Sequence, residues 1–140
     1  MMRVAALIPL FVQVALIFGL MFWMGSLRLS ALKRREASIA NTALNEANWP
    51  KRPTQVANAL KNQFEFPVLY FALVPLVIIF QKADLLFVVL SWVFVLARLA
   101  HAYVHTTSNH VPTRFRVFLV GTVVLLVMWI IFALQVLTGL

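Results

Sequence analysis

Residues 56–82 read VANALKNQFEFPVLYFALVPLVIIFQK, and the way this stretch crosses an apolar medium decides the fold. Only 16 uncharged residues separate Glu65 from Lys82. As a helix they span roughly 24 Å, short of a hydrocarbon core about 30 Å thick. The helix must therefore extend backwards through Glu65 and Asn62 to about residue 56. Lys61 then lies near enough to its start to snorkel outward. Pro53 punctuates that start. Pro67 and Pro75 fall inside the span, where bends rather than breaks are expected, because neighbouring helices can satisfy freed carbonyls.

The same arithmetic governs the next run. Asp84 and Arg98 bracket 13 uncharged residues, roughly 20 Å of helix. That helix must continue through Arg98 and His101 to about residue 106. The link at 81–84 is short enough to force an antiparallel hairpin. A last run starts after Pro112 and carries no charge from Val117 to Leu140. The first run has no charge from Val4 until Arg28, whereas a signal peptide's apolar region is about 7–15 residues long. The expectation is an all-α, integral membrane four-helix bundle forming one domain over residues 1–140. Its spans lie at about 4–27, 56–80, 85–106 and 114–138. Residues 28–55 form the one sizeable polar connection, with 36–53 partly helical.

Composition agrees. The chain is 63% hydrophobic and 11% charged, against about half apolar and a quarter charged in soluble domains. Its solvent is the lipid bilayer. The absence of cysteine excludes a disulfide framework, a thiolate metal site and a cysteine nucleophile. The net charge of +8 is topological and points to no nucleic-acid partner, because the basic residues sit between apolar runs. Arg28, Lys33, Arg34, Arg35, Lys51 and Arg52 fill the first connection, and Arg114 and Arg116 follow the third helix. Only Arg3 and Lys82 oppose them. The positive-inside rule puts both long connections in the cytoplasm and both termini on the non-cytoplasmic side. Trp23 and Trp49 fall near the cytoplasmic boundary.

Four polar residues fall at membrane depth: Asn62, Glu65, Arg98 and His101. Such residues are costly in lipid and usually mark a functional site. Glu65 lies ~13 Å from the cytoplasmic start of its helix and Arg98 ~12 Å from the cytoplasmic end of its own. Matched depth invites a Glu65–Arg98 pair. Asn58, Asn62 and Glu65 share one helical stripe; Arg98, His101 and His105 share another. Facing each other, they define a polar cleft open to the cytoplasm, with His110 and Arg114 at its mouth. Blander readings stand beside this one. The ion pair could serve helix register alone, and His101 could be a packed histidine bonded to a carbonyl. His105, His110, Arg114 and Arg116 could anchor at headgroups. No metal site is expected: His101 and His105 have i, i+4 spacing, but His110 lies past the helix end and no second acid joins them. A proton or ion carrier is disfavoured because nothing suggests a relay to the outer face.

The stretch NQFEFP, residues 62–67, resembles the N-x-x-E signature, followed by proline, of the MAPEG family. These are membrane-associated proteins in eicosanoid and glutathione metabolism. ARLAH, residues 97–101, continuing to VPTR, residues 111–114, is similar to the third-helix motif of the family's microsomal prostaglandin E synthase branch. Four spans, a basic first connection, a short second turn and a length near 140 are similar too. The resemblance implies a homotrimer with glutathione bound in a cytoplasm-facing cleft between protomers. It implies that Arg28, Asn62, Glu65, Arg98 and His101 contact glutathione. It also implies that Arg114 stabilises the thiolate, with a lipophilic small molecule as the second substrate.

Two departures matter. The synthases carry tyrosine seven residues after the third-helix arginine, and this chain has His105. Tyr103 lies about 140° round the helix from Arg98. Asn58 and Leu60 replace basic residues of the synthase. The reading is a bacterial-type inner-membrane glutathione transferase or peroxidase, with Arg114 and His105 catalytic. The alternative is a non-catalytic, lipid-binding or partner-binding scaffold of the same fold, as one family branch is.

Overall fold

In the computed structural model, which describes residues 1–140, every regular element is helical. The elements are α1 (Met2–Lys33), α2 (Ile39–Thr42), a short 3-10 turn (Glu46–Asn48), α3 (Lys51–Asn62), α4 (Val68–Ile79), α5 (Leu85–Thr106) and α6 (Val111–Thr138). Three of them, α1, α5 and α6, are long and apolar enough to cross a membrane; α4 is apolar but has only 12 residues. Helices of this length and hydropathy suit the hydrocarbon core of a bilayer.

Helix α1 runs past the expected boundary near residue 27 and takes Arg28 into its last turns. Leu29, Ala31 and Leu32 favour that continuation. It stops where Arg35 turns left-handed (φ 58°) and the Glu36 N–H bonds the Ala31 carbonyl at 3.0 Å, closing the last turn. The connection onward is ordered and shorter than expected, because α3 already begins at Lys51. Ser38 caps α2, accepting from the Asn41 N–H at 3.2 Å. Lys61 donates to Glu46, and Arg28 approaches the same carboxylate at 3.8 Å. The Lys61 hydrogen bond, reinforced by its charge, holds the Glu46 carboxyl below its ordinary 4.5. Arg28 lies over Trp49 and Arg52 over Trp23, each 4.9 Å from the ring centre.

The stretch expected to form one bent helix is two helices. The chain leaves helical geometry at residues 63–67 and resumes at Val68. Pro67 explains the position: it has no N–H to give, its ring crowds the carbonyl four residues back, and it pushes Phe66 away from the helical region. Pro75 stays inside α4. The break does not orphan the backbone. Tight bonds link the Gln63 N–H to the Leu60 carbonyl (3.0 Å), Phe64 to Lys61 (2.9 Å) and Tyr70 to Pro67 (3.0 Å). Buried Gln63 also accepts from Gln13 of α1 at 3.0 Å and donates to the Ala59 carbonyl at 3.1 Å. Irregular backbone at membrane depth persists only where protein or a polar cavity surrounds it.

Two packing regions follow. Tyr70, Leu73, Val74 and Val77 of α4 pack with Phe87, Val88, Phe94 and Val95 of α5 and Leu125, Met128 and Phe132 of α6. At the other end Leu20, Val56, Ala59 and Ala102 bring α1, α3 and α5 together through small side chains. Asp84 starts α5 by accepting from the Phe87 N–H at 2.7 Å.

Candidate functional site

The break in the α3–α4 pair delivers Asn62 to the last turns of α5. Arg98, with 1% of its surface exposed, donates through Nη2 to the Asn62 side-chain oxygen and, at 3.4 Å, to its main-chain carbonyl. Its guanidinium lies 4.9 Å from the Phe66 ring centre. Asn62 then donates through Nδ2 to Glu65 Oε2 at 3.2 Å. The expected direct Glu65–Arg98 pair is therefore replaced by a relay: guanidinium, amide, carboxylate. The reason is the break. Glu65 sits beyond the end of α3, exposed, and no longer continues the stripe through Asn58 and Asn62. An amide with its oxygen on the cation and its N–H on the anion couples the two charges without contact.

Beside this relay a recess of about 230 Å3 opens between α3, α5 and α6. Its polar lining is Asn62, His101, His105 and Arg114; Val111, Phe115 and Phe118 form the rest. The His101 and His105 rings meet edge to face at 5.6 Å. Four nitrogens here are buried without a hydrogen-bond partner in the chain: Arg98 Nε and Nη1, His101 Nδ1 and His105 Nδ1. A buried donor left unmade costs about 1–3 kcal/mol, more if charged. Each such group calls for an explanation, a water, an ion or a ligand, and four of them sit on two turns of one helix.

Other expected members lie elsewhere. Arg28 lines a separate recess of about 200 Å3 with Glu46, Thr54 and Asn58. His110 sits at the start of α6, its Nδ1 2.8 Å from the Thr113 hydroxyl. Tyr103 faces outward, 70% exposed. No group of three or more His, Cys, Asp or Glu residues is placed to hold a metal ion.

Sequence reasoning missed three contributors. Gln55 donates to the His105 carbonyl at 2.8 Å and the Thr107 carbonyl at 3.2 Å, and Arg52 donates to the Thr106 carbonyl. The end of α5, whose carbonyls lack helical partners, is thus held by α3. A signal existed: Gln55, Asn58 and Asn62 follow i, i+3, i+7, so the polar stripe begins one turn before Asn58. Phe66 is the third. Its ring meets Phe118 edge-on at 4.9 Å and borders an apolar groove of about 440 Å3 with Leu69, Thr122, Leu125, Leu126 and Trp129. Polar recess and apolar groove meet at the Phe66–Phe118 pair.

Comparison with known families assigns most of the chain. The model of the MAPEG family matches residues 6–134. No curated protein and no solved structure matches the chain.

Proposed function

Because the chain belongs to the MAPEG family, we propose that it is a membrane-embedded, glutathione-dependent transferase or peroxidase acting on a lipophilic electrophile. The observation that carries this reading is the recess: partnerless guanidinium and imidazole nitrogens beside Arg114, next to an apolar groove. Family membership fits glutathione-linked membrane chemistry in general. The Arg98–His101–Arg114 spacing supports the prostaglandin E synthase-like branch.

In this reading glutathione lies in the recess and the electrophile in the groove. Arg98, His101, Asn62 and Glu65 hold the tripeptide's charged ends. Arg114 stands beside the sulfur, where a cation favours S⁻ over S–H. His105, at the position of the synthases' tyrosine, offers an imidazole nitrogen to the sulfur or its proton. The thiolate attacks an electrophilic carbon; a C–S bond forms as the leaving group departs with its electron pair, and the thiol proton goes to solvent. The peroxidase variant breaks an O–O bond instead and consumes a second glutathione, giving alcohol, water and glutathione disulfide. Groove and recess shelter the sulfur from lipid on one side and receive glutathione from water on the other.

Topology belongs to the same proposal. Together α3 and α4 make the fourth crossing, both termini face away from the cytoplasm, and the membrane is a bacterial inner membrane. Arg28 lines its own recess with Glu46 and Asn58, and in the proposed homotrimer it meets the glutathione of a neighbouring protomer's site. A second reading, a lipid-binding protein without catalysis, draws on the groove, apolar but for Thr122, and on His105 in place of tyrosine.

The test is titration of the purified protein with glutathione, followed by turnover with an aryl halide. Glutathione at 100 times its dissociation constant should stabilise the fold by about 2.7 kcal/mol, and conjugate should accumulate. A protein that is neither stabilised nor active sinks the enzyme reading and leaves the lipid-binding one.

A further inference from the structure

Residues 107–110 join α5 to α6, and Asn109 does two jobs there. Its backbone is left-handed (φ 51°), a conformation asparagine tolerates better than most residues. Its N–H bonds the Val104 carbonyl at 2.7 Å, closing the end of α5. Its side-chain oxygen accepts from Arg114 Nη1 at 2.6 Å. Arg114 stands in the first turn of α6. The positive helix end gives a cation no reason to settle there, and a free arginine samples many rotamers. Asn109 is the residue that holds this guanidinium at the recess mouth. Its amide is neutral, so it orients the cation without cancelling its charge, as a carboxylate would.

We infer that Asn109 is a positioning residue: it fixes Arg114 against the sulfur while leaving the guanidinium's full charge to the thiolate. The inference rests on the glutathione reading of the recess. The titratable groups that line the recess with Arg114 are His101 and His105 of α5; Arg98 and Glu65 lie behind them on Asn62, and His110 stands one turn before Arg114, bonded to Thr113.

Two variants test it. Asn109→Gly keeps the left-handed backbone at no steric cost and deletes the acceptor. Asn109→Asp keeps both backbone and acceptor but adds a negative charge. Turnover, glutathione affinity, melting temperature and the ultraviolet absorbance of bound thiolate against pH are measured on the intact protein. For Asn109→Gly the expected result is an unchanged melting temperature and an almost unchanged glutathione KM. Its kcat should fall about three- to tenfold, the worth of one hydrogen bond, with the thiolate titration displaced to higher pH. For Asn109→Asp that displacement should be larger, although the hydrogen bond is restored. A purely structural Asn109 predicts the opposite order, with the aspartate resembling the parent in every readout; that order overturns the inference. So does Asn109→Gly matching the parent in kcat and thiolate titration. A parent protein with no glutathione turnover overturns the glutathione reading and this inference together.

Discussion

The first half of α5 and its last three turns are buried alike but for different ends. Phe87, Val88, Phe94 and Val95 meet α4 and α6 through ring and methyl contacts, with Phe94 4.7 Å from Tyr70 and 6.0 Å from Phe66. Arg98, His101 and His105 are as deeply enclosed, yet they leave four nitrogens without partners. In the apolar half the buried polar atoms are hydroxyls alone, Ser91 Oγ and, beside it from α4, that of Tyr70. One half of the helix stabilises the fold, and the other spends part of that stability on a polar site. The difference teaches where to expect folding defects and where to expect functional ones.

The contrast is broken most forcefully at Phe94. Phe94→Ala should cost about 3–5 kcal/mol by leaving a cavity among Phe66, Tyr70 and its other neighbours, read as earlier unfolding in denaturing detergent. If the variant unfolds with the parent, the apolar half is not the stabilising one. Arg114→Ala probes the other side. It lies at the recess mouth, so melting should hold while conjugation falls about a hundredfold, the size seen when one charge-stabilising donor is removed. An unchanged rate would shift the catalytic assignment to His105.

Asn62→Ala tests the relay between the halves. It leaves Arg98 Nη2 without its side-chain acceptor and cuts Glu65 off from the guanidinium. A loss of about 1–3 kcal/mol and weaker glutathione binding are expected, by thermal melting and titration. A direct Glu65–Arg98 pair would instead make Asn62 dispensable and Glu65→Gln the damaging change.

The smallest effect belongs to the Glu46 latch, outside both halves. Its carboxyl is held below the ordinary 4.5, first by the Lys61 hydrogen bond. A depressed acid contributes stability that is present above that ordinary value and lost as pH falls through the folded one. Hydrogen exchange of residues 36–50, corrected for intrinsic rate, should therefore rise on acidification below about pH 4.5. Glu46→Gln should show the same faster exchange at neutral pH, with the rest of the bundle unmoved.

Much of this was legible in residue order. Helical class, membrane solvent and the polar cluster follow from apolar runs punctuated by charge, because helix rise and hydrocarbon thickness are fixed lengths that a count of residues can be set against. The spacing of Arg98, His101 and His105 put three side chains on one face before any neighbour was known. Arg28 shows what residue order leaves open: a position beside the cytoplasmic boundary says nothing about azimuth, and within one chain its side chain turned to Glu46 and Trp49. The Glu65–Arg98 pairing came out indirect, through Asn62, since matched depth assumed an unbroken helix through Pro67.

Run length, hydropathy and helical period are properties of neighbours along the chain, and these determined the helices, their solvent and the buried charges. Which of those charges meet is a matter of rotation and separation between helices. That was decided only by tertiary packing: the break at 63–67 turned Glu65 outward, set Asn62 on Arg98, and let α6 bring Arg114 to the histidines.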